Sequence, residues 1–142
     1  DRDLHIGGIQ IPSDFGAVGH SDADVLIHAI CDAILGACNL GDIGYHFPDT
    51  DSKYKNIDSK IILKKVYDLM ENAGYSILNI DSTVVLEKPK LASHLSTMRK
   101  TLADILMIPS FDISIKATTH EKVDSFGESE AIKAYAVCLL TS

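Results

Sequence analysis

Gly19-His20-Ser21-Asp22-Ala23-Asp24-Val25-Leu26-Ile27-His28-Ala29-Ile30-Cys31-Asp32 gathers two imidazoles and three carboxylates around the start of one predicted helix. Ser21 and Asp24 have the Ser-x-x-acid form of a capping box, so the helix is expected to begin at Ser21 or Asp22 and to run over about 22–38. Its first turn is then a ready site for an anion or a metal. Asp24, His28 and Asp32 recur every four residues and share one stripe, while Val25, Leu26, Ile30 and Ile34 form the apolar side. Alone, such a stripe reads as a polar helix face, and its imidazole as a solvated or hydrogen-bonded one. A second cluster follows closely, Gly41-Asp42-Ile43-Gly44-Tyr45-His46-Phe47-Pro48-Asp49-Thr50-Asp51. Two clusters flanking one helix read as a site, and the spacing of Asp24, His28 and Asp32 permits a metal ligand supported by neighbouring carboxylates.

Outward from this helix, Leu4 to Ile11 carries Gly7-Gly8 between β-branched residues and ends at Pro12, which predicts a bent or hairpin strand. Asp58 or Ser59 caps a second helix over about 59–73, with Ile62, Val66, Leu69, Met70 and Ala73 at helical spacing and Gly74 as its stop. Ile77 to Leu86 reads as a strand closed by Lys88-Pro89, and a third helix starts after Ser93 and ends before Pro109. Two strands finish the chain. Ile113, Ile115 and Ala117 alternate with Ser114 and Lys116; Ile132, Ala134, Ala136, Cys138 and Leu140 alternate with Lys133 and Tyr135. The expected class is α+β, one domain over residues 1–142 with a mixed sheet and helices on one face. The small residues of the last strand point to close packing against something, such as a symmetry mate.

At 142 residues and 46% apolar content the chain is long enough for one core. Its apolar runs are too short to cross a bilayer, so a soluble protein without a membrane partner is expected. A net charge of −7 without a basic run argues against nucleic acid, and an anionic substrate would need cationic help. Cys31, Cys38 and Cys138 lack Cys-x-x-Cys spacing and sit in apolar contexts, which predicts reduced structural thiols and a reducing compartment.

Several segments together resemble the 2-C-methyl-D-erythritol 2,4-cyclodiphosphate synthase family of the non-mevalonate isoprenoid pathway. They are Ile6-Gly7-Gly8-Ile9 to Ile11-Pro12, His20-Ser21-Asp22-Ala23-Asp24, Gly41-Asp42-Ile43-Gly44, Phe47-Pro48-Asp49-Thr50-Asp51, Pro89-Lys90, and Thr118-Thr119-His120-Glu121 with its flanks. The resemblance implies a homotrimer with active sites between subunits, and a lyase that releases cytidine monophosphate as a substrate phosphate closes a cyclic diphosphate. It implies His28 as a zinc ligand and Glu121 as the carboxylate on a magnesium ion. His20 and Ser21 match substrate-phosphate contacts, and His20 and Thr119 match positions that stabilise the transition state. Asp42, Ile43 and Gly44 match contacts to the methylerythritol, with Phe47, Pro48, Asp49, Thr50 and Asp51 as a loop beside them. Leu86, Glu87, Lys88, Pro89, Lys90, Leu91 and Ala92 match a cytidine pocket. Thr118, Thr119, His120 and Glu121 match the nucleotide-phosphate side.

The family's other zinc ligands form an Asp-x-His pair on a strand ahead of the glycine hairpin. Asp3-Leu4-His5 has that form but adjoins the hairpin directly, and is read as a decoy. The expectation is a chain whose beginning, with the first strand and its ligands, lies upstream of Asp1. Ser125 and Glu128 depart from the aromatic and Arg frequent in bacterial members, and the wording around Thr119-His120 is closer to plastid ones. A plastid or apicoplast stroma is expected for a eukaryotic source, and the cytoplasm for a bacterial one. Two other readings compete: a metal-dependent nucleotide pyrophosphatase, and a non-catalytic trimeric nucleotide-binding homologue. A calcium site on Asp49-x-Asp51 is discarded, because Lys53 stands where an oxygen ligand is needed.

Overall fold

A computed structural model describes residues 4–13, 23–54, 57–119 and 131–142. Leu4–Ile6 (β1) and Ile9–Ile11 (β2) form an antiparallel hairpin, closed by Gly7 and Gly8 at φ +63° and +81°. Those dihedrals are open to glycine at little cost. Leu4, Ile6 and Ile11 point into the core, and His5 and Gln10 point out, as a strand's two-residue period requires.

The first helix, α1, spans Val25–Ala37, shorter than the expected 22–38. Asp24 is its N-cap, with backbone in the extended region and a carboxylate accepting from the Ile27 N–H. The capping-box reading is therefore corrected: the acid assigned to the third helical position is itself the cap. It is recruited there because its other partners lie on the hairpin. Leu26, Ile27, Ile30, Cys31, Ile34 and Leu35 are fully buried along one side, each large aliphatic contributing about 1.5–3 kcal/mol by leaving water.

A short helix, α2 (Ile43–His46), is followed by α3 (Ser59–Asn72), which starts and stops as expected, with Asp58 as N-cap and Gly74 at φ +91°. Next come β3 (Ser76–Val85), α4 (Leu95–Leu106), β4 (Ile113–Thr118) and β5 (Lys133–Thr141). β3 is central, parallel to β4 and antiparallel to β5. A register shift between Ile77 and Asn79 makes Leu78 an extra residue in β3. That bulge lets Ile77 and Ile80, three positions apart, both face the core. α1 and α3 pack together, α1 lies on β5 and β3, and α4 lies on β4, so the helices cover one face of the mixed sheet. No helix among the described residues is long and apolar enough to cross a membrane.

The last strand behaves differently from its expectation. Its small face, Ala134, Ala136 and Cys138, packs on the core beside α1. The opposite face leaves Tyr135, Val137 and Leu139 exposed at 53%, 64% and 58%. Burial pushes all three cysteine thiols up, which fits unreactive structural side chains.

Candidate active site

The N-terminus of α1 is joined to the hairpin by Asp24, which is 1% exposed. One carboxylate oxygen accepts from Gly7 N–H at 3.0 Å and Ile27 N–H at 3.0 Å, and the other from Gly8 N–H at 2.8 Å. Burial pushes this carboxyl up, opposed by the three backbone donors and the nearby His28.

One turn further on, His28 is half-buried, and its Nε2 lies 3.2 Å from Ser59 Oγ at the start of α3. The expectation that Asp24 and Asp32 fix this ring is corrected. Both carboxylates are occupied by backbone N–H groups, and the ring is met by a serine from another helix. Ser59 also lines a cavity of about 260 Å³ with His5, Gly8, Asp24, Ile57, Asp58 and Lys60. The Lys60 backbone N–H, and then its ammonium, hold Asp58 below the usual carboxylate range despite partial burial. Sequence reasoning treated Ser59 only as a helix start; its link to His28 crosses 31 residues and has no local signal.

An imidazole held at one nitrogen by a hydroxyl has the donor chemistry of one zinc ligand. Among the described residues no group of three His, Cys, Asp or Glu could complete a metal site. His20, Ser21, His120 and Glu121 lie outside the described residues.

Asp32, exposed on α1, accepts from Ile43 N–H at 2.8 Å and so ties the Asp42-Ile43-Gly44 segment to the same helix as His28. Asp42 caps α2 through Tyr45 N–H at 2.9 Å and is exposed. Its second oxygen leaves acceptor capacity toward solvent. His46 Nε2 meets Leu40 O at 2.7 Å, and buried Phe47 meets Tyr54 edge-on at 5.2 Å, which anchors the loop carrying Pro48, Asp49, Thr50 and Asp51. That loop turns through Asp51 N–H to Pro48 O.

Two of the segments expected around cytidine and phosphate meet at Leu86 and Thr118. Leu86 N–H donates to Thr118 O at 3.0 Å, extending the β3–β4 pairing so that the 86–92 segment leaves the sheet beside Thr118 and Thr119. Leu86 and Leu91 are buried, whereas Lys88 and Lys90 are exposed. This is the carboxyl end of a parallel strand pair, a common location for ligands in such sheets.

Residues 1–141 match the YgbB family over nearly the whole chain. The chain belongs to that family. The 2-C-methyl-D-erythritol 2,4-cyclodiphosphate synthase of Parabacteroides distasonis is 58% identical over 140 residues, which are 99% of this chain and 87% of the relative. Among solved structures, the bifunctional IspDF of Campylobacter jejuni matches with TM-score 0.92 and 42% identity, over 98% of this chain and 38% of that one. A 2C-methyl-D-erythritol-2,4-cyclodiphosphate synthase in a form bound to CDP matches with TM-score 0.88 and 35% identity, over 99% of this chain and 91% of that one. The YgbB assignment agrees with the resemblance carried by the glycine hairpin, the His-Ser-Asp segment and the Gly-Asp-Ile-Gly segment. Both named organisms are bacteria, so they lend no support to a plastid or apicoplast placement.

Proposed function

We propose that this YgbB-family chain converts 4-diphosphocytidyl-2-C-methyl-D-erythritol 2-phosphate to 2-C-methyl-D-erythritol 2,4-cyclodiphosphate and CMP. An oxygen of the 2-phosphate forms a bond to the diphosphate phosphorus nearer the methylerythritol. The bond from that phosphorus to the bridging oxygen breaks, and CMP leaves with the electron pair. The observation that carries this reading is a 58% identical relative of that name matched over 99% of the chain. Incubation with the substrate should yield CMP and a cyclic diphosphate by phosphorus NMR. A linear phosphate product would instead establish the pyrophosphatase reading, and tight nucleotide binding without turnover the non-catalytic one.

Phosphoryl transfer depends mainly on positioning and charge neutralisation, and this acidic chain needs no protein nucleophile for it. Zinc held in part by His28 and magnesium held by Glu121 would supply the missing positive charge and polarise the phosphorus. His20 and Ser21 contact substrate phosphate, and His20 and Thr119 donate hydrogen bonds to the phosphoryl oxygens as charge develops there. Asp42 accepts from the diol of the methylerythritol, with Ile43 and Gly44 against its carbon frame and the Phe47–Asp51 loop beside it. The 86–92 segment takes the cytosine, Thr118 contacts the nucleotide phosphates, and His120 and Glu121, which lie outside the described residues, are assigned to the substrate by the resemblance alone. Replacing Asp42 by alanine should raise KM about tenfold or more and change kcat less, because a ground-state contact worth about 1.5–3 kcal/mol is lost. An unchanged KM in steady-state assays would remove Asp42 from the site.

The working form is a homotrimer built on the bare face of the mixed sheet. Support comes from Tyr135, Val137 and Leu139 exposed side by side on β5, and from Asp81 next to them on β3. One Asp81 oxygen meets Lys116 Nζ at 2.9 Å, which sets a charged pair beside this apolar stripe. Val137→Glu should dissociate the assembly in analytical ultracentrifugation, because an unpaired charge would be buried at every subunit contact at a cost of several kcal/mol. Trimers that persist would place the interface elsewhere.

A further inference from the structure

We propose that His46 is a positioning residue that holds the Asp42-Ile43-Gly44 segment in its binding geometry before the substrate arrives. This role rests on the reading of Asp42 as a contact to the diol, and adds the residue that sets where that carboxylate is presented. Asp42 is exposed, on a segment that leaves the end of α1 through Gly41 at φ +93°. Left untied, such a segment samples many conformations, and ordering it on binding would weaken affinity. His46 supplies the tie. Its Nε2 lies 2.7 Å from Leu40 O, so one hydrogen bond closes the chain around Gly41, Asp42, Ile43, Gly44 and Tyr45. A backbone carbonyl only accepts, so Nε2 carries the proton whatever the state of Nδ1.

The imidazole is itself held in place. It is half-buried, with the Tyr45 ring perpendicular to it at 4.9 Å and the buried Phe47 ring at 6.2 Å. Leu40 packs against the core, so the tie ends on a fixed point. Inside the closed segment, Asp42 Oδ1 accepts from Tyr45 N–H at 2.9 Å, the residue next to His46, and Oδ2 is left for a ligand. Asp32 adds a second tie through Ile43 N–H at 2.8 Å, but its carboxylate is exposed and water competes for that donor. Behind the imidazole lies a cavity of about 290 Å³ lined also by Phe47, Lys65, Asp68, Leu69 and Asn72. Trimming His46 therefore widens an existing opening and leaves the core intact.

Steady-state kinetics of the full-length protein test this role. His46→Leu keeps the bulk and removes the donor, so KM should rise about tenfold while kcat stays within about threefold of wild type. The inhibition constant of CMP, which engages the 86–92 side, should not move. His46→Gln, whose amide NH2 reaches the place of Nε2, should return KM to within about twofold of wild type. In an Asp42→Ala background His46→Leu should raise KM no further, because nothing is left to position. An unchanged KM in His46→Leu, an equal rise in the CMP constant, or full additivity with Asp42→Ala overturns the proposal. If His46→Leu fails to fold, NMR of wild-type protein with nitrogen-labelled histidine decides: the proton on Nε2 of His46 is expected, and a bare Nε2 overturns the tie. Asp42→Ala separates the two levels. A raised KM there with wild-type KM in His46→Leu sinks only the His46 role, whereas wild-type KM in Asp42→Ala sinks the substrate-contact reading beneath it.

Discussion

Asp24→Ala should lower the unfolding free energy by about 3–5 kcal/mol in urea titrations, enough to unfold much of the population of a marginally stable domain. Three backbone N–H groups, from Gly7, Gly8 and Ile27, lose their acceptor at once. Each orphaned buried donor costs about 1–3 kcal/mol, reduced where water can enter the gap. Asn at this position should do little better, because its amide NH2 would face one of the three donors. The loss should far exceed that of Asp58→Ala, since Asp58 is an exposed N-cap whose removal costs about 1 kcal/mol. Equal losses at the two positions would show that the hairpin does not depend on the Asp24 contact.

His28→Ala in full-length protein should remove stoichiometric zinc and reduce turnover by about three orders of magnitude, the scale of several kcal/mol of lost transition-state stabilisation. The fold should survive, because the ring is half-buried and its hydrogen-bond partner is the Ser59 hydroxyl, which can bind water in its place. Exhaustive chelation of the wild-type enzyme should have the same effect and be reversed by adding zinc. Under the decoy reading, His5→Ala keeps both metal and activity, although His5 lines the cavity beside Ser59. Zinc lost from His5→Ala would promote the Asp3-x-His5 pair to ligands. Full turnover after metal removal would end the metal-dependent reading altogether.

Local rules made α3 legible in advance: Asp58, the apolar run Ile62, Val66, Leu69 and Met70, and Gly74 carry its start, face and stop within one stretch of chain. α1 was legible in its face but not in its start. Asp24 has the right residue type for two roles, and the choice between them depended on Gly7 and Gly8, 17 and 16 residues away. The same limit applied at His28, where spacing nominated Asp24 and Asp32 as partners and packing of α1 against α3 delivered Ser59 instead. Strand alternation anticipated β5 but could not say which of its faces a helix would cover, and the Leu78 bulge left no mark in the pattern.

By itself, then, the sequence determined the three long helices in outline, the alternation of the strands and the family, because periodicity, caps and glycine turns act over a few residues and motif wording is read without coordinates. Only the tertiary structure decided which hydrogen bonds the acids make, which atom of His28 is engaged, and which sheet face is left bare. Those outcomes depend on contacts between segments far apart in the chain, where several partners are chemically equivalent and the packing of helix on helix and helix on sheet selects among them.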